Sequence, residues 1–560
     1  MITYGFNLVI VAGGLGSRLA PMTNHIPKFL VNIGKQTGYV EMIRYWKQYS
    51  SFQLPEDIDE NDLPKNYDIG SLTIICHSTY APLVQAYHDM YFKDTPLIIK
   101  CVDVANGSAH AILSSCDHLE GKSVMFSWCD VIPVDVIPVD VIPFDESGPT
   151  FAGNNIVFTN YNNSNRYGLV RTGTGWSDVR PELDSTEQGG VFGLYYIHRY
   201  RSHAEFNDGQ DFVEIIEQYG PMREHKINQI IDFGDTPKLI RTRKLADESR
   251  EFNSIEFIGD HVFKAATNNQ GQDIIAKEIG WYETLASLNT KNVALPVPKV
   301  WVSPKKESFF MSRVEGVSIW KAWNDFSPVD RMFVLQQVIK GQNDLFQLGK
   351  HTVTLDQVLI DVRIEAGDKL RKRYHEIEHV IAAFGPVHYV NGQELLEKDP
   401  LKTIDNLAGA IDNYYVTHYP ITSYGFIHGD LQFSNSMVNI ETREVTIIDP
   451  RGYFGKTIGF GLQDYDIGKL LYALSGYDHF NYNKSFGIKL KNGRLSFDIR
   501  QPSHQGIEGI IADHFKSIHY GWNAVCFLGL AQYIKNDPVK SMAAHYHGLA
   551  LAEKWLRSLD

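Results

Sequence analysis

Three stretches of the chain place acids, cations and glycines at spacings suited to phosphate esters. In VIVAGGLGSRLAPMTNHIPKFLVNI an apolar run ends on Ala12, Gly13, Gly14 and Gly16 follow, Arg18 comes next, and Lys28 lies ten residues beyond it. Glycines directly after a strand let backbone N–H groups approach a phosphate, and the two cations can neutralise a triphosphate and the charge that develops on a leaving pyrophosphate. In FIHGDLQFSN, Asp430 is followed five residues later by Asn435, and the apolar run VTII ends on Asp449. An acid that takes a hydroxyl proton, with an amide and a second acid directed at Mg2+, is an arrangement that moves a γ-phosphoryl group.

The third stretch, FSWCDVIPVDVIPVDVIPFDESG, says DVIPV twice and begins it again, presenting Asp130, Asp135 and Asp140 in equivalent settings. Only Asp130 directly ends the strand that starts near Ser123, so it is the metal-ligand candidate, and Asp135 and Asp140 are expected to be solvated loop carboxylates. Pro133, Pro138 and Pro143 exclude both a regular helix and a central strand, so the copies are expected to form an extended loop at the mouth of a site. Removing ten residues would leave an uninterrupted strand, acid and proline.

The elements that must hold these residues divide the chain in two. The runs FNLVIVA, SLTIICH, TPLIIKCVDV and SVMFSW read as buried strands, with helical segments such as GYVEMIRYWKQY and APLVQAYHDMYF between them. That alternation predicts an α/β domain, a mostly parallel Rossmann-like sheet with helices on both faces, over residues 1–245. Around RTRKLADESREFN the chain turns polar and charged. Beyond it, residues 246–560 read as a two-lobed α+β domain. A small sheet is expected over about 250–315, followed by a helical body over 316–560 with long periodicities such as DRMFVLQQVIKGQNDLFQL and RIEAGDKLRKRYHEIEHVIAAF.

Composition narrows the function classes. With 560 residues, 43% hydrophobic and 21% charged, the chain is long enough for several cores and too apolar for disorder. A net charge of -13 argues against a nucleic-acid-coating surface. Five scattered cysteines without a CxxC pair fit neither a disulfide framework nor a zinc site, which points to a reducing cytoplasm. No run approaches eighteen apolar residues, so no membrane span is expected, and nothing in the sequence speaks against a homo-oligomer.

The string GGLGSR, then P-x-T, then PK-x-L resembles the signature of the sugar-phosphate and phosphocholine nucleotidyltransferase family. Further pieces follow in family order. NGSAHAIL is similar to the base-contacting segment, which places Gly107 and Ser108 by the nucleobase, and FSWCD is similar to the strand that ends in a metal-binding acid, here Asp130. GGVFGLYYI resembles the substrate-lining strand, and IIDFGDTPKLI resembles the segment whose Asp232 is the second metal ligand. Where the family often has Glu-Lys-Pro this chain has SDVRPEL, so Arg180 is assigned to the acceptor phosphate, with a plain surface turn as the alternative. The resemblance implies that a phosphate monoester attacks the α-phosphorus of an NTP with Mg2+ present, releasing pyrophosphate.

HGDLQFSN resembles the catalytic loop of aminoglycoside phosphotransferases and choline kinases, with Asp430 as the base and Asn435 and Asp449 as metal ligands. Lys264 in HVFKAA then stands where the strand lysine holds ATP phosphates, with Glu278 as its helix partner. Met311 and Arg313 in FFMSRVEG fall at the adenine hinge, and Asp466 in QDYDIGKLLYAL braces the catalytic loop. Two departures stand out: FIGDHVF has one glycine, and Asp449 is followed by Pro-Arg-Gly.

Joined in one chain, the two resemblances imply consecutive steps. ATP phosphorylates a small hydroxyl compound, and the resulting phosphate ester is coupled to an NMP. CTP with an amino-alcohol or polyol is the preferred reading, and a sugar kinase making an NDP-sugar is the alternative. Such products typically feed bacterial surface-polysaccharide assembly. A third reading keeps the nucleotidyltransferase and makes the kinase-like half an inactive ligand-binding or regulatory module.

Overall fold

The computed structural model describes residues 4–14, 17–48, 67–104, 106–135, 155–160, 169–172, 175–178, 190–245, 253–289, 294–303, 305–417, 422–483 and 485–559. They form two compact units, Met1–Asp247 with Asn536–Pro538 and Glu248–Lys535 with Val539–Asp560. Among the described residues no helix is long and apolar enough to cross a membrane.

The first unit contains strands β1 (Tyr4–Ala12), β2 (Tyr67–Cys76), β3 (Leu97–Cys101), β4 (Val124–Trp128), β5 (Val131–Pro133), β6 (Asn155–Asn160), β7 (Leu169–Thr172), β8 (Gly175–Asp178), β9 (Gly190–Ile197), β10 (Met222–Lys226) and β11 (Ile230–Asp232). Seven of them make one mixed sheet in the order β10-β6-β9-β4-β1-β2-β3. Helices Gly38–Gln48, Ala81–Phe92 and Gly107–Leu113 connect β1, β2, β3 and β4, which lie parallel, as crossover connections require. Leu8, Val9 and Ile10 are each fully buried, so β1 is covered on both faces, which is why its sequence is continuously apolar rather than alternating. The helix Gly107–Leu113 contributes Ala109, Ile112 and Leu113 to the core against Val9, Phe126 and Tyr195.

After Asp130 the chain does not leave as a loop at once. Val131–Pro133 pairs antiparallel with β11, matching Val131 to Asp232 and Pro133 to Ile230. A two-stranded edge ribbon tolerates the missing N–H of Pro133, which a central strand would not. Residues 136–154, which hold the remaining copies of the repeat, lie outside the described residues.

In the second unit, β12 (Asn253–Ile258), β13 (His261–Ala266), β14 (Val300–Val302) and β15 (Ser308–Ser312) form an antiparallel sheet in the order β12-β13-β15-β14. The helix Asn269–Leu288 sets Ile275, Ile279 and Trp281 against Val262, Phe309 and Met311 of that sheet. A helical body follows, built on Pro328–Leu348, Pro400–Thr417, Gln463–Leu474 and Ser517–Tyr533. The first long periodicity is the single helix Pro328–Leu348. The second is interrupted: a π-helical turn, Ile364–Asp368, separates Leu355–Arg363 from Lys369–His375. The turn presents Glu365, 1% exposed, to Arg451 and Lys369. Such turns are commonly retained at functional sites.

In the first unit β9 runs antiparallel to both its neighbours, β4 and β6. Its register against β6 shifts between Val157 and Thr159, and Gly193, at φ +82°, sits in the bulge. A Cβ on Gly193 would fall 1.9 Å from the Trp128 ring, so the glycine makes room for the indole two residues before Asp130. Gly193→Ala combines a left-handed backbone with overpacking and is expected to cost about 3 kcal/mol. Thermal unfolding of the two proteins measures it.

Candidate active sites

In the first unit, β1 delivers Ala12, 4% exposed, and the chain opens into Gly13 and Gly14. A Cβ on Gly14 would meet nothing within 4 Å, and one on Gly13 only Ala111 at 3.9 Å. Neither glycine has a positive φ. Packing and backbone geometry therefore do not require glycine here; the two residues leave the main chain open to close approach from outside. Gly16 lies outside the described residues. Arg18 is exposed on the short turn Ser17–Leu19, and its carbonyl accepts the Thr236 hydroxyl at 3.2 Å.

Lys28 opens a single 3-10 turn after Pro27, 9% exposed. Its ammonium is paired with the Asp130 Oδ2, across 102 residues of sequence. Asp130, 5% exposed, sits just past the end of β4. The Asp130 carbonyl accepts the Phe233 N–H at 3.1 Å, which fixes the neighbouring Asp232 beside it. Phe233 is fully buried, and its ring occupies the space that a Cβ on Gly38 would take, 2.3 Å away. Asp232 accepts the Gly234 N–H at 3.0 Å and pairs with Lys238 at 3.0 Å. The structure thus brings Lys28, Asp130 and Asp232 together.

Other residues of this unit have local partners. Gly107, at φ +82°, is pressed so closely on the Gln210 carbonyl that a Cβ would fall 2.2 Å from it. The Ser108 hydroxyl donates to Asp211 at 2.8 Å and accepts the Phe212 N–H at 2.8 Å. Asp135 is not a purely solvated carboxylate: its Oδ2 accepts the N–H groups of Asn228 at 2.6 Å and Gln229 at 3.2 Å, and its carbonyl accepts the Tyr45 hydroxyl. It holds the approach to β11. Arg180 and Asp140 lie outside the described residues.

In the second unit Lys264, 6% exposed, bridges Glu278 at 2.7 Å and Asp449 at 3.0 Å. Burial works against the ammonium, but the two acids hold its pKa above the ordinary value. Asp449 is held at φ +57°, a left-handed conformation that few non-glycine residues adopt. Asn435 donates to both the carbonyl and the Oδ2 of Asp430, at 3.0 and 2.9 Å. Asp466, 1% exposed, accepts the N–H groups of His428 at 2.9 Å and Gly429 at 2.7 Å. Burial raises its carboxyl to about 6 despite those bonds. His428 is lowered to about 4, chiefly by burial, so near neutral pH its uncharged ring donates from Nε2 to the Ile448 carbonyl and accepts the Asp430 N–H at Nδ1. Met311 is packed into the small core, while exposed Arg313 donates its N–H to the Asp260 carbonyl and lies over the Phe257 ring.

Lys469, which belongs to none of the sequence motifs, lies 2.9 Å from Asp430 Oδ1. Arg451 of the Pro-Arg-Gly departure, for which the sequence leaves open a phosphate or a carboxylate partner, makes a two-point contact with Glu365 at 2.6 and 3.0 Å. Lys469 sits one helical turn after Asp466, the only local signal for it in the sequence.

Among the described residues no group of three or more His, Cys, Asp or Glu could hold a metal ion. Asp130 with Asp232, and Asn435 with Asp449, each offer two oxygen-bearing side chains. That fits Mg2+ when substrate phosphates and water complete its coordination.

No protein-family profile matches the chain, and no curated protein does. Among solved structures, a candidate glucose-1-phosphate thymidylyltransferase from Bacillus anthracis is similar at 19% identity, over 45% of this chain and 98% of that one, with TM-score 0.35. A UDP-glucose pyrophosphorylase from Acinetobacter baumannii is similar at 14% identity, over 43% of this chain and 92% of that one, with TM-score 0.33.

Replacing Asp466 with Asn turns one of its two acceptor oxygens into a donor, so one buried N–H of His428 or Gly429 loses its partner. The expected loss is about 1–3 kcal/mol, read from the denaturant midpoint of the purified variant.

Proposed function

We propose that the chain is a bifunctional transferase: the second unit phosphorylates a small hydroxyl compound with ATP, and the first couples the phosphate ester to an NMP. The observation that carries this reading is that each unit has its own buried lysine–carboxylate site, Lys28–Asp130 in one and Lys264–Glu278–Asp449 in the other, where Asp449 and Asp430 both act on His428. Lone charges buried to this degree would each cost several kcal/mol, so they are kept in pairs.

In the second unit Asp430 takes the acceptor hydroxyl proton as the oxygen attacks the γ-phosphorus, and ADP departs. Lys264 steadies the ATP phosphates, with Glu278 and Asp449 orienting its ammonium. Asn435, bonded to Asp430, keeps the base in position. In the first unit the monoester oxygen attacks the α-phosphorus of the second NTP, taken as CTP on the sequence resemblance, and the bond to pyrophosphate breaks. Gly13 and Gly14 leave the backbone open to phosphate, and Lys28 and Arg18 offset the growing negative charge. Arg180 receives the acceptor phosphate, and Gly107 and Ser108 line the base. Mg2+ held by Asp130 and Asp232, and by Asn435 and Asp449, supplies further charge neutralisation at the phosphates when bound.

Asp430→Asn is expected to lower ADP release by about a thousandfold or more while sparing pyrophosphate release from NTP and a supplied phosphate ester; Asp130→Asn should do the reverse. Coupled assays for ADP and pyrophosphate on both proteins check this. Loss of both activities in either variant would contradict two separate sites.

A further inference from the structure

We propose that the hydroxyl compound phosphorylated by the second unit carries an anionic group, a carboxylate or a phosphate, which Lys469 receives beside Asp430. This rests on the kinase reading above and narrows its acceptor class away from amino-alcohols.

Both oxygens of Asp430 are engaged. Oδ1 faces the Lys469 ammonium at 2.9 Å, and Oδ2 accepts Asn435 at 2.9 Å and Gln432 at 3.3 Å. Lys469 projects from the same helix as Asp466, whose carboxylate holds the backbone of the catalytic loop, so its position relative to Asp430 is fixed. The side chains of Asp430 and Lys469 keep 22% and 15% of their surface exposed. A hydroxyl that reaches Asp430 therefore arrives next to that ammonium.

Behind this pair cations outnumber acids. Arg451 and Lys369 share Glu365, with Lys369 at 2.8 Å from it. Arg373 feels both Arg451 and Glu365 while donating to the Gly529 carbonyl. Arg451 and Lys469 in turn act on one another. Among the described residues Lys369, Arg373, Arg451 and Lys469 thus lie around Glu365 and Asp430. Burial, and then Arg451, pull the Lys369 ammonium down to about 7, so near neutral pH it carries only part of a positive charge and Arg373, Arg451 and Lys469 hold the rest. A neutral or cationic acceptor would leave that excess uncompensated, whereas an anion balances it.

Two further acids face Asp430, and neither offers a firm negative charge. Asp466 is committed to backbone N–H groups. Asp478, 3% exposed, has Ser434 as its polar neighbour, and burial raises its carboxyl to about 7. Asp478 suits a hydrogen bond to an acceptor hydroxyl better than the capture of an ammonium.

The test uses the full chain with saturating ATP and measures ADP release with glycerol, glycerate, glycerol phosphate, ethanolamine and choline. Glycerate or glycerol phosphate should give a kcat/KM about tenfold or more above the others, and the better of the two identifies the anion. Lys469→Met should raise KM for that acceptor about tenfold or more with KM for ATP unchanged, and Lys469→Arg should restore most of the loss. Preference for glycerol, ethanolamine or choline, with Lys469→Met leaving acceptor KM unchanged, overturns the anionic acceptor and leaves the kinase reading standing. Absence of ADP release with every compound overturns both.

Discussion

A lysine taken out of water must keep an acid beside it, and this constraint organises both units. The cost of burying a lone ammonium or carboxylate is several kcal/mol, and an excellent pair recovers it only when the backbone holds both partners still. In the first unit the Phe233 N–H and the pairing of β5 with β11 do so, placing Asp130 where Lys28 can reach it. In the second, a sheet strand and a capped helix hold Lys264 and Glu278, and the left-handed backbone at Asp449 turns a third partner toward them. The glycines at 38 and 193 belong to the same scheme. Each yields its side-chain space to an aromatic ring that supports a site acid.

The loop around His428–Asp430 in the second unit shows how one buried carboxylate can serve several other groups. Asp466 fixes two successive N–H groups, the neutral His428 ring ties the same loop to the Ile448 carbonyl, and Asp430 emerges between them. The helix that carries Asp466 also carries Lys469, so Asp430 and its neighbouring cation are placed by one element. The π-turn at Ile364–Asp368 has a comparable role: a helix that would otherwise run through is unwound so that Glu365 meets Arg451 and Lys369 together.

Much of this was legible in the sequence because the residues announce themselves locally. Strands covered on both faces read as continuous apolar runs, and Asp130 stands out from Asp135 and Asp140 by ending one of them. Lys264 with its helix partner Glu278, and Asp449 from a distant motif, converge in space. What the sequence hid were pairings with no local signature. Arg451 and Glu365 are 86 residues apart. Asp135 looked solvent-bound because its partners, the backbone N–H groups of Asn228 and Gln229, carry no side-chain signal. The antiparallel direction of β9 was equally hidden, since an apolar run fixes burial and not orientation.

The central claim, that one chain carries two consecutive phosphate-transfer steps, is tested most directly by product stoichiometry. The full chain is given ATP, a second NTP and an unphosphorylated, isotopically labelled acceptor, and ADP, pyrophosphate and nucleotide-linked acceptor are counted together. The account predicts one ADP and one pyrophosphate for each molecule of linked product, with no linked product when ATP is withheld. Linked product formed without ADP release, or ADP release that never leads to pyrophosphate under any NTP, would contradict it.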